Sequence, residues 1–163
     1  MTAHPTKIAA VLLALGCGGS ELSTDAGTTD AEPSNVSYRA VALATALDRI
    51  AILKADSDAD ICGLLRLASP AGASTFGITT PTGWAVDLAG ISQGSDECAS
   101  SFPVAEEQSD SGTGDVAFAV PAGMLFPSTL TTRATLIFET SSAPAWVPET
   151  LEFVATDLAL EGI

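Results

Sequence analysis

No histidine follows His4, and the 163 residues contain only two lysines, Lys7 and Lys54. Beyond residue 4 the chain therefore lacks the usual general base for a serine or cysteine nucleophile, and it lacks imidazole as a metal ligand. No Ser-x-x-Lys precedes Lys54. Gly112-Thr113-Gly114 is neither a dinucleotide fingerprint nor a phosphate loop, because both need a helix to follow and the next residues, Asp115 to Val120, read as a strand. Positive charge is scarce too. Six basic residues stand against twenty acids, a formal charge of −14. Such a surface repels phosphate backbones and anionic headgroups, which excludes nucleic acid as a partner. No apolar run is long enough to cross a bilayer, which takes roughly 20 residues. The longest, Ile8 to Leu15, has about eight.

That short run has a meaning of its own. It follows a single basic residue, Lys7, and leads into small residues, the three-part layout of an export signal. Ala14-Leu15-Gly16-Cys17 resembles the lipobox of bacterial lipoproteins, with Ala14 at the position where leucine is usual. The resemblance covers only the signal and its cleavage site. It implies that residues 1–16 are removed, that Cys17 becomes the first mature residue, and that its sulfur carries diacylglycerol with palmitate-type acyl chains. Ordinary secretory cleavage after Gly16 is the competing reading, since Ala14 and Gly16 also form a small-x-small site. Parity favours the lipid. Of three cysteines, lipidation of Cys17 leaves Cys62 and Cys98 to pair as a disulfide in an oxidising compartment. Each buried methylene adds about 0.8 kcal/mol, so two or three acyl chains make a lasting membrane attachment. Gly18 and Gly19 lack the acidic residue that resembles an inner-membrane retention signal, so the outer membrane is the expected address within the cell envelope.

Residues 17–35 follow as a flexible acidic tether of Ser, Thr, Gly and Asp with almost nothing apolar to bury. Residues 36–163 read as one domain. Removing the signal leaves about 147 residues, too few for two ordinary domains. Val41, Leu43, Thr45 and Leu47 alternate with small or polar neighbours, and Ile50 to Leu53 continues as a second run. A single amphipathic helix from Tyr38 to Lys54 competes, but the branched residues fall two apart more often than three or four. Ile61 to Ala68, Phe76 to Thr80 and Val116 to Val120 read as further strands. Trp84, Val86 and Leu88 share one parity, pointing together into the core. Ser109 to Gly114 reads as a polar loop. In the clearest strand, Leu130, Thr132, Ala134, Leu136 and Phe138 line one face while Thr131, Arg133, Thr135 and Glu139 line the other, with Ile137 a misfit. Leu151 to Val154 and Leu158 to Leu160 close the chain. About eight or nine short strands at intervals of roughly ten to fifteen residues, with no βαβ alternation, predict an all-β single β-sandwich, immunoglobulin-like or jelly-roll-like.

Two constellations have chemistry in them. Asp56, Asp58 and Asp60 alternate across a turn between predicted strands, as carboxylates must to converge on calcium. They match an EF-hand poorly, since Ile61 and Leu67 stand where glycine and a bidentate glutamate are needed, and a solvated acidic turn is the favoured reading because Asp is a preferred turn former. Trp146, between Pro144 and Pro148, is the better placed of the two tryptophans to stack on a sugar ring, although core packing is the favoured reading because large aromatics dominate cores. Twenty acids also leave open a carboxylate-dependent hydrolase, although no spacing singles out a pair. The expected whole is a non-enzymatic, lipid-anchored envelope protein serving in binding, adhesion or structure. A calcium- or carbohydrate-binding module is the alternative.

Overall fold

The computed structural model describes residues 35–43, 48–100, 104–123 and 126–162. The signal segment, the lipidation site Cys17 and the tether through residue 34 lie outside the described residues. Among the described residues nine strands run in order: β1 (Val36–Ala42), β2 (Arg49–Asp56), β3 (Ile61–Ala68), β4 (Gly77–Thr79), β5 (Ala85–Gln93), β6 (Glu107–Gln108), β7 (Ser111–Ala119), β8 (Thr129–Ile137) and β9 (Thr150–Glu161). A short 3₁₀ turn, Ser95–Ala99, lies between β5 and β6, and no α-helix occurs among the described residues. The fold is all-β and sandwich-like, built from a single sheet ordered β4-β7-β8-β9-β1-β2-β3-β5-β6. Neighbours run antiparallel except β1 with β9 and β4 with β7, which are parallel. The sheet curls, so that the β1-β2-β3-β5 half faces the β7-β8-β9 half across a shared core.

β9 makes the curl possible. Over most of its twelve residues it pairs with β8, and at Leu160 and Glu161 it pairs with β1. Between these two duties the register slips: Leu130 faces Leu158, yet Thr132 faces Ala155. Asp157 takes a left-handed φ of 52°, and its N–H donates to Thr131 Oγ1 at 3.2 Å. A bulge of this kind bends a strand and increases its twist, letting one strand serve both halves. The two separate closing runs read from the sequence are therefore one continuous strand, with the bulge at Thr156-Asp157 breaking both its pattern and, locally, its ladder.

Two further expectations are corrected. Val86 joins the main core, but Leu88 packs on the opposite face of the sheet. Asp87 is an extra residue between them, because Arg66 faces Leu88 while Leu67 faces Val86. The bulge reverses the parity of β5 and aims Asp87 at Arg66, whose Nε and Nη2 donate to its two oxygens at 2.9 and 3.0 Å. Ser109 to Gly114, read as a loop, contains the start of β7. Glycine and serine there are not turn signals. Gly114 sits in the ladder at φ 126°, and a Cβ on it would collide with the Arg133 carbonyl.

The main core lies between the halves and contains Ile50, Ile52, Leu65, Leu67 and Ile91 from one side and Leu130, Leu136, Leu151 and Phe153 from the other. The halves approach so closely at β3 that a Cβ on Gly63 would lie 2.5 Å from Leu151 Cδ2 and 3.0 Å from Phe153 Cζ. A second, smaller core occupies the reverse face of β1, β2, β3 and β5, formed by Ala51, Leu53, Cys62, Leu64 and Cys98. This is why Ile50 to Leu53 and Ile61 to Leu65 are continuous apolar runs where one-sided burial would give alternation. The turn Ser95–Ala99 and Ala105 cover that core, and the Cys62–Cys98 disulfide fastens the cover across 36 residues of chain.

Candidate functional site

The β7-β8-β9 half is built differently. Its inward side chains fill the main core, while its outward side chains are small or polar except Ile137 and Val154, and nothing among the described residues covers the middle of the face. Strand register arranges these side chains in rows. Thr113, Thr135 and Glu152 form one row across three strands, and Asp115, Arg133 and Val154 form the next. Between the rows lie Gly114, Ala134 and Phe153, whose backbones form a floor. Rows two residues apart are separated by roughly 7 Å. The result is a trough of about 430 Å³ running across the strands. Val154, which is 56% exposed, supplies an apolar wall beside Arg133.

Arg133 stands apart from the other arginines. Arg39 pairs with Glu161 at 2.7 Å, Arg66 with Asp87 at 2.9 Å and Arg49 with Asp87 at 3.9 Å. Arg133 is exposed and makes no ion pair among the described residues, although Asp115 is its direct partner across the ladder. Its five N–H donors are thus held at the trough by a rigid strand without being consumed by the protein.

A second hollow, of about 180 Å³, lies beside the disulfide. Leu53, Ala55, Cys98 and Ala99 form its apolar walls, and Ser37, Ser95 and Arg39 its rim. Arg39 is committed here to structure: Nη1 donates to the Cys98 carbonyl at 2.9 Å, while Nε and Nη2 reach Glu161. The hydrogen bond to Glu161 raises the Arg39 pKa, and the same bond lowers that of the Glu161 carboxyl. Comparison with known proteins gives no match to a family model, to a curated protein or to a solved structure. The chemistry of the site itself therefore has to indicate its ligand.

The residues singled out in the sequence fall in several places. Cys62 and Cys98 are bonded, with Cα atoms 5.3 Å apart. Asp56, Asp58 and Asp60 occupy the β2–β3 turn, but each carboxylate has a separate partner. Asp56 Oδ1 accepts from the Ala59 N–H at 3.1 Å, Asp58 takes both contacts from Asn35 Nδ2 at 2.7 and 2.8 Å, and Asp60 Oδ1 accepts from the Ser95 N–H at 3.1 Å. Among the described residues no three acidic, histidine or cysteine side chains are gathered as a metal would need. Trp146 is half-buried and packs against the main core, as does Trp84, whose ring meets Phe118 edge-on at 5.2 Å. Sequence reasoning does not single out the trough. The outward row Thr131, Arg133, Thr135 is visible in the alternation of β8, but its neighbours Thr113, Glu152 and Val154 come from strands that only the topology brings alongside.

Proposed function

We propose that this chain is a lipid-anchored protein of the bacterial cell envelope that works without catalysis, as a binding module held off the membrane by its tether. The observation that carries the reading is the open face of β7, β8 and β9: a rigid, polar trough with an unspent guanidinium, on a domain whose opposite half is closed over by its own chain. The absence of histidine after His4 supports a non-enzymatic role. So does the scarcity of acids in the hollows. The trough has one carboxylate in its lining, Glu152, with Asp115 beyond it at the β7 end of the Arg133 row, and the hollow beside the disulfide has none, whereas glycosidase-type hydrolysis needs two facing each other. The lipobox-like Ala14-Leu15-Gly16-Cys17 supports the anchor, and the pairing of the other two cysteines is in keeping with an oxidising compartment.

Mass spectrometry of the N-terminus of the protein recovered from membranes tests the anchor. A diacylglyceryl-modified Cys17 as first residue is expected, with Cys62 and Cys98 oxidised. An N-terminus at Met1 on a cytosolic chain with three free thiols would overturn it.

A further inference from the structure

We propose that the trough across β7, β8 and β9 binds a neutral polyhydroxylated chain, that is, a segment of glycan laid across the strands. This deepens the binding-module reading above by naming the ligand class. The argument starts from what the walls offer. Arg133 is a donor without an acceptor function, and Glu152, when ionised, is an acceptor without a donor. They sit in adjacent rows on neighbouring strands, and Thr113 and Thr135 add hydroxyls that can do either. An occupant must therefore present acceptors and donors side by side within a few ångströms, with little net charge. Sugar hydroxyls do this, since each one both donates and accepts.

Other polymers fit less well. A phosphate or sulfate chain offers only acceptors, and it meets Glu152 at the trough and a protein whose formal charge is −14. A basic peptide would set its cations against Arg133. An extended peptide adding a strand docks along a sheet edge, whereas the trough lies on the sheet's face, where Gly114, Ala134 and Phe153 are paired in the β7-β8 and β8-β9 ladders. The shape agrees with the chemistry. The trough is open and runs perpendicular to the strands, suited to a chain that continues beyond it at both ends. Val154, exposed next to Arg133, gives the C–H face of a sugar ring an apolar surface. Since Trp84 and Trp146 both pack against the core, neither supplies an aromatic platform, and binding depends on the polar side chains of the trough.

The test is a titration of the full chain in detergent, ¹⁵N-labelled, with maltohexaose, cellohexaose and the hexamer of N-acetylglucosamine, and with a heparin hexasaccharide as the charged comparison. Saturable shifts at Thr113, Gly114, Arg133, Thr135, Glu152 and Val154 with at least one neutral chain are expected. A hydrogen bond from a charged group contributes enough that Arg133→Ala should weaken binding about tenfold or more. Thr135→Val, which keeps the shape of the side chain, should weaken it several-fold at unchanged melting temperature. No saturable shift with any neutral chain overturns the proposal, as do shifts centred on Trp146, tighter binding of the heparin fragment, or affinity that survives both substitutions. The state of Cys17 is read separately, so failure here leaves the anchor untouched and failure of the anchor leaves this site untouched.

Discussion

The two halves of this sheet use the same backbone geometry for different ends. In β2 and β3 both faces are buried over most of their length, one against the main core and the other beneath Ser95–Ala99 and Ala105, with β1 and β5 flanking them. In β7, β8 and β9 one face is buried and the other presents threonines, two acids and Arg133 to solvent. The connecting segments make the difference. After β5 the polypeptide doubles back over the sheet and is fastened there by Cys98, whereas β8 and β9 are joined by a connection that packs Trp146 and Val147 against the main core. One half is thereby made into a support and the other is left as a surface.

Removing the fastening should have the largest effect. With Cys62→Ala and Cys98→Ala together, the closed loop of 36 residues is lost, which on the chain-entropy model costs about 4 kcal/mol. Urea denaturation should show that loss as a lower midpoint, and a shift worth under about 1 kcal/mol would mean that the cover holds without its bond. An intermediate effect of opposite sign is expected at Thr132. This residue is fully buried in the open half, and its Oγ1 has no hydrogen-bond partner among the described residues. Thr132→Val keeps the shape and removes the unsatisfied hydroxyl, so it should stabilise by about 1 kcal/mol. The melting temperature should rise by roughly 4 °C, and a fall would show that the hydroxyl is satisfied in solution.

The smallest effect belongs to the strap between Arg39 and Glu161. Both groups are largely exposed, so the pair contributes no more than a few tenths of a kcal/mol. The Glu161 pKa is lowered in the folded state by the hydrogen bond from Arg39. Its contribution is therefore full above the ordinary carboxylate range and disappears as pH falls through the lowered value. Glu161→Gln should be slightly less stable than the parent at neutral pH, with the gap closing in acid as the carboxyl is protonated. A gap that stays constant in acid would show that the charge is not what matters there.

Much of the support is legible in the residues. Continuous apolar stretches such as Ile50 to Leu53 mark strands buried on both faces, and the alternation from Leu130 to Phe138 marks one buried on a single face. The misfit Ile137 is 43% exposed, as its parity requires. The parity of β5 is not legible, because a single inserted residue, Asp87, turns Leu88 to the other side. The beginning of β7 is hidden by Ser109, Gly112 and Gly114, which are turn formers by composition; at Gly114 the neighbouring strand leaves no room for a Cβ, and at Gly112 the space is tight. Half of the trough is visible as the outward row of β8. The rest depends on β7 and β9 flanking β8, and on Arg133 having no counter-ion among the described residues, which no spacing within one strand can reveal.

The contrast between the halves is tested most directly by substituting one outward residue in each and measuring stability by chemical denaturation. Leu64, on the reverse face of β3, is 2% exposed, and Leu64→Ala should cost about 2 to 5 kcal/mol. Thr135→Ala, on the trough side of β8, should change stability by no more than about 0.5 kcal/mol. Equal losses at the two positions, or a larger loss at Thr135, would contradict the division into a closed half and an open one.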